Sequence, residues 1–139
     1  MTFADLPSAN VPREPGVYVV LRSAVDVPEF LEKSTAGWHT GRNPSVDVEV
    51  LRVSWVADAE VIYIGKATNL RTRLSQYRRS GSGGTSHRGG RYIWQLASSP
   101  SRLVAWLPTP DENPRVVEQH LIAQFVTDHG ARPFANLKD

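Results

Sequence analysis

Three short runs rich in β-branched and aromatic residues, PGVYVVLR (Pro15 to Arg22), EVIYIGKA (Glu60 to Ala67) and RLVAWLPT (Arg102 to Thr109), lie among segments of helical periodicity. Bounded by proline or glycine, such runs read as strands. The chain is therefore limited to a small sheet with helices around it, an α/β (α+β) class. The second run ends at a glycine and passes into NLRTRLSQYRR (Asn69 to Arg79), where Leu70, Leu74 and Tyr77 recur at helical spacing. The last helix is the most sharply delimited element: Asn113 can cap it, Pro114 suits its first position and Gly130 follows its end, so it spans Pro114 to His129. RYIWQLASS (Arg91 to Ser99) reads as a further short helix, and SGSGGTSHRGG (Ser80 to Gly90) as a loop.

With 139 residues the chain has the length of one domain, taken as 1–139. There is no cysteine, which excludes disulfides and thiolate metal sites and leaves oxygens and four histidines as metal ligands. No apolar run approaches membrane-spanning length and the N-terminal residues lack a signal pattern, so no membrane partner is expected and cytoplasmic residence is the default. The charge distribution is more telling than its sum of +2. Lys66, Arg71, Arg73, Arg78, Arg79, Arg88, Arg91 and Arg102 fall between Val61 and Pro110 with no acidic residue among them, while the rest of the chain is net negative. One face is thereby suited to a polyanion, and nucleic acid is the expected partner.

The segment Ser23 to Ala59 is the least determined. VPEFLEKS suggests a short helix, whereas VDVEVLRVSWV is strand-like by composition although Val48, Leu51 and Trp55 fit a helical period. WHTGRNP (Trp38 to Pro44) offers an aromatic and polar groups suited to bases, or else a covered edge.

Individual residues can be weighed by position. Tyr18 and Tyr63 sit inside strands, where a buried phenol is either an ordinary core residue or one that needs a hydrogen-bond partner. At about 100° per residue, Arg73 falls roughly 60° to one side of Leu70, beside the apolar stripe; Arg71 and Arg78 fall about 100° and 80° to the other side. Arg73 is thus expected to turn towards the sheet and could hold a phosphate. Arg71, Arg78 and Arg79 are expected at backbone contacts, or simply in solvent. Glu118 falls inside the apolar arc formed by Val117, Leu121, Ile122 and Phe125, where a carboxylate calls for a cation or a salt bridge to a core arginine.

Taken in order, GVY (Gly16 to Tyr18), YIG (Tyr63 to Gly65), Arg73, Glu118 and Asn136 resemble the GIY-YIG nuclease superfamily. The resemblance implies a small three-stranded antiparallel sheet flanked by helices, with an insertion at about 23–59 where simpler members have a short hairpin. Replacing the segment between Val25 and Ala57 by a short turn is then expected to leave a folded domain with altered substrate choice, unless Trp38 and Trp55 belong to the core. It further implies a metal-dependent endonuclease that hydrolyses phosphodiester bonds, DNA in the first instance, with Mg²⁺ or Mn²⁺ held by Glu118. Tyr18 and Tyr63 would share the site, one of them orienting or deprotonating water. Because a tyrosine ordinarily ionises near pH 10, deprotonation requires nearby positive charge, which Lys66 and Arg73 could supply, or a metal-bound water. Tyr77 would line the site, and Gly65 and Asn136 would meet substrate; from their place in or beside the glycine loop, His87, Arg88 and Arg91 could contact substrate or relay a proton, or be ordinary loop residues. The competing readings are a nucleic-acid-binding module without turnover and a basic-faced protein-interaction domain.

Overall fold

The computed structural model describes residues 1–22, 28–38, 41, 43–84, 90–97 and 99–137. Strand β1 (Gly16–Leu21) is central, with β2 (Val61–Ala67) antiparallel on one side and β3 (Leu103–Pro108) antiparallel on the other. The three strands fall where the sequence places them. Tyr18 stands opposite Gly65 and Trp106, and Val20 opposite Tyr63 and Val104. Between Val20 and Leu21 the register with β2 shifts, leaving Ile62 as an extra residue. A bulge of this kind breaks the strict alternation of faces. Ile62 consequently joins the same core as Tyr63.

Helix α1 (Val48–Ser54) settles the ambiguous VDVEVLRVSWV in favour of its helical period, with Leu51 buried. Helix α2 (Leu70–Gly81) is capped by the Asn69 side chain, which accepts from the Thr72 amide at 3.2 Å, and buries Leu70, Leu74 and Tyr77. It runs two residues past the expected end, its last turn carrying Arg78 and Arg79 where the helix dipole favours cations. Helix α3 (Pro114–His129) has the expected bounds: Asn113 accepts from the Arg115 amide at 3.0 Å, and Gly130 closes the helix at φ 76°. RYIWQLASS forms a 3₁₀ turn over Arg91–Gln95 rather than an α-helix.

One face of the sheet, bearing Tyr18, Val20, Tyr63 and Val104, packs against α2, the 3₁₀ turn and the N-terminal residues Phe3, Leu6 and Val11. The opposite face carries α3 over a much smaller cluster of Ala59, Ile64 and Phe125, flanked by Val19 and Ile122. Leu121, expected on the buried arc of α3, is exposed; the inward-facing stripe is Phe125, which is buried, with Glu118, Ile122 and His129 half-buried at helical spacing.

One expectation for the inserted segment is corrected. No helix forms over Pro28 to Ser34: Phe30 bridges Leu96, the Leu31 amide donates to the Gln95 carbonyl, and the Ala97 amide donates to Glu29. These nonlocal bonds use the backbone that a helix would need. The segment also packs into the main core. The buried Gln95 side chain accepts from the Val46 amide at 3.0 Å and donates to the carbonyls of Leu31 and Val46, while Trp55 packs edge-on against Phe30 and Phe134. Arg22, 2% exposed, donates from Nε to the Ala59 carbonyl at 2.8 Å and lies over the Trp55 ring. The segment thus completes the main core instead of decorating it.

Candidate active site

Adjacent β1 and β2 bring the two strand tyrosines together because Tyr18 faces Gly65 while Tyr63 lies one pleat away on the same face. Their ring centroids are 5.9 Å apart, and Tyr77 from α2 completes the triangle at 6.1 and 5.7 Å. Gly65 is needed at its position, since a Cβ there would run into the Tyr18 ring. Gly90, which the sequence places in a loop, has a comparable task. It adopts φ 73°, a Cβ on it would collide with Tyr77 and Tyr63, and its carbonyl accepts from the Tyr77 hydroxyl at 2.7 Å. The only sequence signal for it is a glycine immediately before an aromatic turn.

Arg73 reaches this cluster from the first half of α2, as its helical position predicts. Its Nε donates to the Tyr18 hydroxyl at 3.0 Å and its guanidinium lies 5.3 Å from the Tyr77 ring centre. Tyr63 also feels the Arg73 charge and, more weakly, that of Glu118. Burial pushes the Tyr18 and Tyr77 phenols well above their ordinary pKa and raises Tyr63; Arg73 pulls each of them down without reversing the direction. The phenols are therefore protonated donors near neutral pH. Arg73 itself is opposed by burial, but the surrounding tyrosines outweigh this and hold it charged.

No family model, curated protein or solved structure matches the chain.

Glu118 projects from the first turns of α3 with its side chain only 15% exposed, and its Oε1 lies 3.5 Å from Lys66 Nζ. Its partner is thus a lysine that is 47% exposed, not a core arginine. The Lys66 charge is directed at this carboxylate, and it is Arg73 that acts on the tyrosines. Glu118 brings a single carboxylate, with no group of three histidine or acidic ligands among the described residues. One carboxylate fits a hard divalent ion that keeps most of its own water, as Mg²⁺ does, better than a dehydrated cage.

The remaining expected contacts are spread more widely. Asn136 accepts from the Ile64 amide at 2.9 Å and donates to the Ile64 carbonyl at 2.8 Å, so its amide is occupied by the edge of β2. Arg71 donates to the Val11 carbonyl at 2.6 Å and to Asn10, tying the N-terminal residues to α2. Arg78 is half-buried and Arg79 exposed. Arg91 lies over the ring of its neighbour Tyr92. His87 and Arg88 lie outside the described residues.

Proposed function

We propose that the protein is a divalent-metal-dependent endonuclease of the GIY-YIG type, hydrolysing phosphodiester bonds in nucleic acid. The observation that carries this reading is the bond from Arg73 to the Tyr18 hydroxyl, within a tyrosine cluster that Glu118 also influences. A guanidinium held by buried phenols has a fixed position, and a fixed cation is what a developing charge on a phosphate requires. Tyr18 and Tyr63, kept protonated by burial, can orient a water or donate to a phosphate oxygen, but are poor bases in this state. Glu118 would hold the ion. The chemistry that Mg²⁺ or Mn²⁺ supplies when bound is charge neutralisation at the phosphate and a lowered pKa for water.

One observation favours the alternative of a binding module without turnover: Lys66 already neutralises Glu118. A plasmid and RNA cleavage panel with Mg²⁺, Mn²⁺ and EDTA separates the two. The nuclease reading expects metal-dependent cutting that falls about a hundredfold or more in Glu118→Gln or Arg73→Ala. Because Lys66 can turn to water when its partner is removed, Glu118→Gln should change stability by no more than about 1 kcal/mol. Wild-type protein that binds nucleic acid without cutting under any metal would replace this reading with the binding module.

A further inference from the structure

Beside the cluster, a groove of about 450 Å³ opens between the start of α2 and the start of α3. Its volume is in the range of small-ligand sites. Lys66, Arg73 and Arg115 line it together with Thr72 and Gln76, and no carboxylate does. Lys66 is matched by Glu118, but neither Arg73 nor Arg115 belongs to an ion pair among the described residues. The helix ends cannot account for its character by themselves: the Thr72 and Arg115 amides are already taken by the capping side chains of Asn69 and Asn113. The positive character of the groove comes from its side chains. Arg115, on the exposed side of the first turn of α3, makes no core contact that would require a guanidinium.

We propose that this groove is a second phosphate subsite, receiving the backbone phosphate next to the one held at Arg73, with Arg115 as its principal charge and Thr72 and Gln76 as neutral polar contacts. The proposal rests on the nuclease reading, which places the first phosphate. It specifies that the strand leaves the cluster between α2 and α3, away from the separate groove lined by Arg71 and Arg78.

The test is anisotropy of labelled oligonucleotides in EDTA across 50–200 mM salt, a range taken from the behaviour of phosphate contacts. The expected result is that Arg115→Ala lowers the slope of log affinity against log salt by about one and weakens binding about threefold or more at the low-salt end. Thr72→Glu, which suits the first turn of a helix and so keeps the fold, should weaken binding at least as much. Arg52→Ala removes an equal charge on α1 and should leave the curve unchanged, its Glu49 pair being exposed. Wild-type binding curves from both groove variants would overturn the subsite. So would displacement of the oligonucleotide by inorganic phosphate at matched ionic strength, which would mark a free-phosphate site. Cleavage in Mg²⁺ is read on the same samples. A wild type that cuts while the groove variants bind normally sinks only the subsite; a wild type that never cuts while Arg115→Ala still flattens the salt slope sinks only the nuclease reading.

Discussion

The two faces of the sheet are built to different standards. On the α2 face, Tyr18, Tyr63 and Tyr77 sit in a continuous core in which Leu70, Leu74 and Ile93 have no exposure. On the α3 face, Phe125 is the one fully buried residue of a sixteen-residue helix, and Val116 and Leu121 on its other sides are exposed. Arg73 belongs to the first face and Glu118 to the second. The group proposed to hold phosphate is therefore fixed by dense packing and hydrogen bonds, whereas the proposed metal ligand rides on an element held by a thin seam, its own pair with the half-exposed Lys66 and a contact of His129 with the exposed Asp58. A tightly packed wall fixes a charge in place, and a thinly packed one leaves a helix freer to adjust.

The sharpest way to break this comparison is to remove the inserted segment. Replacing residues 28–56 with a short turn should abolish cooperative unfolding, because Leu51, Trp55 and the bonds to Gln95 leave with it. A soluble, cooperatively melting deletion protein would return the segment to the status of an accessory. Next in size, Leu74→Ala on the dense face should cost about 2–5 kcal/mol in urea unfolding, and Ile122→Ala on the thin face, being only half-buried, roughly half of that or less. Equal losses would show that the two seams are energetically alike. The smallest effect is at alkaline pH. Above about pH 10 the unfolded chain releases phenolic protons that the buried tyrosines retain, so the unfolded state gains and the melting midpoint should fall as pH rises past that value. Tyr77→Phe should shallow this fall, whatever it does to the midpoint at neutral pH through the lost bond to Gly90. An unchanged slope would argue against buried phenols.

What the sequence revealed follows the same division between local and distant causes. The strands and the two long helices could be read because their signals are local: β-branched runs, the caps Asn69 and Asn113, and the closing Gly130. The side of α2 on which Arg73 lies could be read from the three residues that follow its period. The positions of Leu31 and Val46 could not, because both bond the Gln95 side chain, 64 and 49 residues away. VPEFLEKS lost its apparent helix to those bonds. Arg22 gave no warning either: a single arginine after a strand does not announce that it will be buried over Trp55. For Glu118 the apolar arc was visible and the identity of its partner was not, since Lys66 reaches it from another element.

The amide of Asn136 has a consequence beyond placement. β2 lies at one border of the sheet, and a bare border offers a row of unpaired donors and acceptors to any strand that passes. Asn136 takes both polar groups of Ile64, and the Ala135 amide takes the carbonyl of Ile62, so the middle of that border is closed by four residues of irregular chain. Pro133, which lacks an amide hydrogen, stands at their head. This small clasp leaves that stretch of the border without the free ladder on which a strand of a second molecule could add.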